Sequence, residues 1–140
     1  MSNGYAFEDL RIGQTASLSK TITEADILMY SAVSMDTNPL HIDADAAKQS
    51  IFGERIAHGM LSAGLISALL GTRLPGPGSI YMRQTLAFRA PVKLGNTVTA
   101  TVEVTALNPD KKRATLSTVC KVGEEVVIEG EAYVQVPSRG

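Results

Sequence analysis

Two short stretches of this chain carry residue types that move protons and steady negative charge: Asp36-Thr37-Asn38-Pro39-Leu40-His41 and His58-Gly59-Met60. An acid and an imidazole on either side of an Asn-Pro turn can meet at one point without either distorting a helix. Gly59 opens an apolar run, and the amide at a helix start is an unpaired donor where the dipole also favours negative charge. Acid, imidazole and amide are together the parts needed to handle a proton and an oxyanion, and the combination suggests an enzyme. Each part also has an ordinary reading. An Asp before Asn-Pro commonly serves as a turn or cap residue, a single His is commonly a hydrogen-bonded core residue, and His58-Gly59 would suit a loop that merely ends in a close-packed glycine.

The elements that must position these residues can be read from hydrophobic period, which changes once, from helical in the first half to strand-like in the second. Thr23-Glu24-Ala25-Asp26 has the form of a capping box, so a helix is expected over 24–34, ending just before Asp36. Asn38-Pro39 breaks it, because proline disfavours helical geometry in its predecessor, and Asp43 can cap another short helix over 44–50. Gly59 to Leu74 is apolar or small on every side, which predicts a buried helix, and it is shorter than the roughly 20 residues a bilayer span requires. Beyond Pro77 the period is two. Val98, Ala100, Val102 and Val104 form one alternating set, Ala114 to Val122 a second, and Ile128 to Val136 a third. Turn-rich connections at 108–113 and 123–125 make these antiparallel hairpins. One long buried helix with several antiparallel strands is an α+β domain whose sheet wraps the helix.

Composition narrows the function classes. The chain has 140 residues, with 13 basic and 14 acidic side chains and a formal net charge of -1. That length suits a single domain spanning 1–140. The charge balance offers no broad grip on nucleic acid or on an anionic membrane. Cys120 is the one cysteine, which excludes an intrachain disulfide and fits a reducing compartment. It lies in an alternating segment as a core or surface residue, not a nucleophile. Met1 to Arg11 has no long apolar stretch and includes Glu8 and Asp9, unlike a secretory or transit peptide, so a cytoplasmic location is expected.

Asp36-x-Asn-Pro-Leu-His41, His58-Gly-Met and Leu74-Pro-Gly-x-Gly-Ser-Ile-Tyr81 together resemble the MaoC-like hydratases, and most of all the (R)-specific enoyl-CoA hydratases. The similarity continues through Phe88-Arg-Ala-Pro-Val92 and the strand Gly95 to Val104, so it covers nearly the whole chain. The resemblance implies a hot-dog fold, in which an antiparallel sheet wraps a long central helix, and a homodimer with acyl-CoA bound near the subunit interface. It implies a catalytic pair at Asp36 and His41, a carbonyl-binding amide at Gly59 and a helix serine near the site at Ser67. A serine on a small-residue helix face also serves close packing or bonds a carbonyl one turn back, and both readings of Ser67 stand at this point. The implied reaction is hydration of a trans-2-enoyl-CoA to an (R)-3-hydroxyacyl-CoA, with no cofactor beyond the CoA carried by the substrate. Departures from the pattern are few: Met35 stands where relatives often have glycine, and Asn96 where aspartate is frequent.

Other chemistries fit less well. The serine between Gly59 and Gly64 lacks the spacing of a nucleophile elbow. Two histidines and one cysteine on different elements make no recognisable zinc pattern, so no metal is expected. Gly76-Pro77-Gly78 is too short and proline-rich for a dinucleotide loop. Lys111 to Arg113 form a solvated hairpin tip, and Arg73, Arg83, Arg89 and Lys93 are near the expected cleft only by position. Two alternatives to the hydratase are a hot-dog thioesterase, in which activated water attacks the thioester carbonyl, and a non-catalytic acyl-thioester-binding subunit. Acyl-chain length depends on a pocket lined by core residues such as Leu65, Leu69 and Leu70. Polyhydroxyalkanoate monomer supply, fatty-acid breakdown and a biosynthetic side path would all use the same chemistry.

Overall fold

Strand β1 (Thr15–Thr21) is followed by four helices: α1 (Glu24–Ser34), α2 (Pro39–Ile42), α3 (Ala44–Lys48) and α4 (Gly59–Thr72). Strands β2 (Ile80–Gln84), β3 (Ala87–Phe88), β4 (Thr97–Asn108), β5 (Arg113–Val122) and β6 (Glu125–Gln135) complete the chain. The computed structural model describes residues 4–140, so the first three residues of the N-terminal segment read above lie outside it. All strands pair antiparallel in the order β1-β4-β5-β6-β2, with β3 also on β6.

The inward faces of the long strands are the alternating residues of the sequence. Val98, Ala100, Val102 and Val104 of β4, with Leu116 and Cys120 of β5, are buried against α4 residues Ile66, Leu69 and Leu70. The outward face of β1 and β4 is polar, and its rungs are hydroxyl pairs: Ser17–Thr101 at 2.8 Å, Ser19–Thr99 at 2.7 Å and Thr21–Thr97 at 2.7 Å. Strict alternation fails once in β6, where Val127 and Ile128 are both buried beside a register shift in the β5–β6 pairing. The sheet curls around α4, which touches β1, β2, β4 and β5. This is the hot-dog arrangement.

Helix α4 is not enclosed as its sequence predicts. One face buries Ser62, Ala63, Ile66, Leu69 and Leu70, while Met60, Gly64, Ser67 and Gly71 form an exposed stripe. One chain supplies a single sheet, and a single sheet covers one side of a helix. Among the described residues no helix is long and apolar enough to cross a membrane.

The helices before α4 carry the chemistry, and each has a local reason to start where it does. In α1 the Thr23 hydroxyl accepts from the Asp26 amide at 3.2 Å and the Asp26 carboxylate accepts from the Thr23 amide at 2.9 Å. Those bonds, led by the Thr23 amide and reinforced by Lys20, hold the Asp26 carboxyl below its usual range. Met35 stops α1 in the left-handed region at φ 67°, a conformation that explains why glycine suits this position. Asn38 caps α2 through the Leu40 amide at 3.1 Å, with Pro39 in its first turn. Asp43 caps α3 through the amides of Asp45 and Ala46 at 2.9 and 3.2 Å. The segment leading into α4 is pinned by Ala57, whose amide donates to the Val92 carbonyl at 2.7 Å.

Candidate active site

Asp36 sits in the turn between α1 and α2. Its amide donates to the Ser34 hydroxyl at 3.1 Å, and one carboxylate oxygen accepts from the Asn38 amide at 3.3 Å. The residue as a whole is exposed. His41, on α2, is buried at 8% exposure, and its Nδ1 lies 2.8 Å from the Ile56 carbonyl. A carbonyl only accepts, so Nδ1 holds a hydrogen and Nε2 is the nitrogen left for chemistry. Arg55 reinforces the placement: its Nε donates to the His41 carbonyl at 2.7 Å and its Nη1 pairs with Glu24 of α1 at 2.8 Å.

The titratable atoms of Asp36, His41 and His58 lie within 4.8 Å of one another. Two hydrogen bonds of about 2.8 Å meeting at one water span up to roughly 5 Å, so the gap suits a single water held from two sides. The same three side chains invite comparison with a metal centre. The imidazoles of His41 and His58 stack, with centroids 3.9 Å apart and planes inclined by 28°. Ring-nitrogen lone pairs lie in the ring planes, so those of two stacked rings run side by side and do not converge on one cation. His41 Nδ1 and His58 Nε2 are, moreover, both engaged with backbone carbonyls. This geometry handles protons better than it holds an ion.

Gly59 begins α4, and among the described residues no side chain caps that end. A Cβ built on Gly59 would lie 2.5 Å from two carbons of the Phe88 ring, so glycine is what lets the ring rest over the helix start. Gly59 and Ser62, one turn apart, line a cavity of about 320 Å³ with Phe52, Phe88, Arg89 and Ile128. The Ser62 hydroxyl is buried and has no partner among the described residues. Ser67 lies elsewhere. It is exposed on the outer stripe of α4 and lines a second cavity of about 440 Å³ with Met60, Tyr81, Gln84 and Leu86. Leu69 and Leu70, named above for the acyl pocket, are core residues that line neither cavity.

Against known proteins, the MaoC-like domain matches residues 10–128. An (R)-specific enoyl-CoA hydratase of Rhodospirillum rubrum is 62% identical over 134 residues, covering 96% of this chain and 93% of the relative. This chain belongs to the MaoC-like family. A 3-hydroxybutyryl-CoA dehydratase of Methylorubrum extorquens is 51% identical, covering 95% of this chain and 85% of that one. Among solved structures, the (R)-hydratase of Aeromonas caviae involved in PHA biosynthesis superposes with a TM-score of 0.90 at 48% identity, over 93% of this chain and 99% of that one.

For a MaoC-like chain, the structure brings together Asp36, His41 and the start of α4, and separates Ser67 from them within one subunit. Sequence reasoning gave no role at the site to the side chains of His58, Ser31 and Ser62. The spacing of Ser62 three residues after Gly59, on one helix face, was the available signal for the last. The four cations near the cleft are engaged. Arg73 donates to the Ser17 carbonyl at 2.5 Å, Arg83 lies 5.2 Å over the Tyr133 ring, Arg89 pairs with Glu129 at 2.8 Å and Lys93 with Glu54 at 3.5 Å. Cys120 is buried, and that burial pushes its thiol up to about 11, the opposite of what a nucleophile needs.

Proposed function

We propose that this MaoC-like chain is an (R)-specific enoyl-CoA hydratase, adding water reversibly to a trans-2-enoyl-CoA to give the (R)-3-hydroxyacyl-CoA. The observation that carries the reading is the convergence of Asp36 and His41 within 4.8 Å of each other, in a chain 62% identical to a hydratase of that name. In the reaction the water oxygen bonds to C3, one of its protons leaves to a side chain, and a proton is delivered to C2. The electron pair of the double bond passes through the thioester oxygen on the way. Asp36 and His41 hold the water from two sides, one taking a proton and one returning a proton to carbon, so both fragments add to the same face. The uncapped Gly59 amide, at the positive end of the α4 dipole, receives the thioester oxygen as it gains charge.

The same reading treats residues 1–140 as one catalytic domain that uses no separate cofactor and no metal, in the cell interior where CoA thioesters occur. It has the protein act as a homodimer. The exposed α4 stripe and the uncovered face of β2 support this, since each leaves apolar side chains such as Met60, Ile80 and Met82 in solvent.

Purified protein incubated with crotonyl-CoA tests the reading when conjugated absorbance and free thiol are followed together. Loss of absorbance without thiol, and a product oxidised by an (R)-specific 3-hydroxyacyl-CoA dehydrogenase, is the expected result. Thiol release would make the protein a thioesterase. Saturable acyl-CoA binding without turnover of any trans-2-enoyl-CoA would make it a binding subunit.

A further inference from the structure

His58 is one of the least exposed polar residues of the chain, at 2%, and the scheme above gives its side chain no work. Its Nε2 lies 3.0 Å from the Asp36 carbonyl and 3.1 Å from the Ser31 hydroxyl. Since the carbonyl can only accept, Nε2 bears the hydrogen and shares it between the turn that holds Asp36 and a residue of α1. One face of the ring stacks on His41, and Tyr30 of α1 lies tilted against it with centroids 4.7 Å apart. His58 is also the residue immediately before α4, so its backbone sets where the Gly59 amide begins. Its Nδ1 is buried without a partner among the described residues, so the ring is engaged through Nε2 alone.

We infer that His58 is a positioning residue for the reaction: one neutral imidazole, protonated on Nε2, fastens the Asp36 turn, backs the His41 ring and anchors the residue that offers the oxyanion amide. Each of the three reacting groups lies on a different element; the His58 side chain touches the Asp36 turn and the His41 ring, and its backbone leads directly into Gly59. The Asp36 turn needs such a tie. Met35 before it is exposed and left-handed, and within the turn Asp36 is held by hydrogen bonds to near neighbours in sequence. A bond from the core to the Asp36 carbonyl converts a surface turn into a fixed one. A shift of about 1 Å in a reacting group costs roughly 100-fold in rate, so the tie acts on kcat more than on substrate binding.

The inference rests on the hydratase reading, and its test separates the two. His58→Phe keeps a ring for His41 to stack on but removes the donor, whereas His58→Gln can place an amide N–H where Nε2 stands and loses the ring. With crotonyl-CoA, His58→Phe is expected to lose roughly 10–100-fold in kcat with KM changed less than about threefold. His58→Gln is expected to recover most of that loss. Long-range nitrogen-proton NMR of the wild-type imidazoles reads the tautomer directly, and hydrogen on His58 Nε2 is expected. The proposal is overturned by hydrogen on Nδ1, by a Phe variant with wild-type kcat, or by Gln and Phe variants equally impaired. Wild-type protein with no turnover would overturn the hydratase reading instead, and the NMR measurement would still decide the bond to Asp36.

Discussion

Asp36 and His41 differ in what surrounds them, and that difference separates chemistry from folding in their variants. Asp36 is exposed, and the structural contact of its carboxylate is acceptance of the Asn38 amide, which an asparagine oxygen reproduces. Asp36→Asn is therefore expected to melt within about 0.5 kcal/mol of wild type, while hydration slows by roughly 10²–10⁴-fold because the amide cannot exchange a proton. His41 is buried, and its Nδ1–H serves the Ile56 carbonyl, so His41→Ala leaves that acceptor unpaired and is expected to cost about 1–3 kcal/mol of stability. Its rate loss is expected to be of the same order as that of the Asp36 variant. Thermal melts beside steady-state kinetics on the same preparations check both numbers, and a wild-type rate in either variant would remove that residue from the mechanism.

Helix α4 sets the distance between the amide at its start and whatever lies across from it, and Phe88 of β3 is what lies there. A methyl at Gly59 meets Phe88 ring carbons at 2.5 Å, and the obstacle is the end of a half-exposed side chain, so the ring can swing aside. Gly59→Ala is expected to fold yet lose at least roughly tenfold in kcat/KM, because the methyl and the displaced ring crowd the place that the proposed mechanism gives the thioester oxygen. Adding Phe88→Ala is expected to restore part of that loss. A double variant no better than the single one would show that the methyl alone obstructs. At this scale much was legible in the sequence. The capping box at Thr23 and the Asp43 cap placed α1 and α3, and period-two runs placed β4 to β6, because each pattern is local. Strand β1 was not legible, since Ser, Thr and Lys alternate there with only Ala16 and Leu18 and the contrast is weak. Nor was β2, whose residues Ile80 to Arg83 are all exposed and so carry no alternation of burial. The Asp36/His41 pair was readable from spacing across a proline turn. His58 and Ser31 met only through tertiary packing, 27 residues apart in sequence, and no local pattern encodes that contact.

Two features belong to the whole molecule, and the first joins its ends. Glu8 accepts from the Arg139 amide at 2.8 Å and from the Ser138 hydroxyl at 2.7 Å. The Arg139 amide, then the Ser138 hydroxyl, lower the Glu8 carboxyl from 4.5 to about 2. A depressed folded value means the unfolded chain binds the proton first, so the contribution is present above pH 4.5 and is lost as pH falls toward 2. Glu8→Gln is expected to flatten that part of the melting-temperature profile while leaving crotonyl-CoA hydration at neutral pH unchanged. The second feature is the surface a single chain cannot cover. Edge strand β2 exposes Ile80, Tyr81 and Met82 beside the α4 stripe of Met60 and Ser67, and the cavity of about 440 Å³ between them is open along that side. A standard interface buries about 800 Å² per partner, roughly a tenth of the 7781 Å² that one chain exposes. A second copy on this face would turn Ser67 from a surface residue into an enclosed one, and the family resemblance places this serine near the site. Sedimentation is expected to give about twice the 14.9 kDa chain mass. Met82→Glu puts a charge into that apolar contact and is expected to shift the protein toward monomer. If the proposed homodimer completes the site at Ser67, hydration is expected to fall with dilution in step with the dimer fraction. A monomeric Met82→Glu protein with the full wild-type rate would show that one chain carries the complete site.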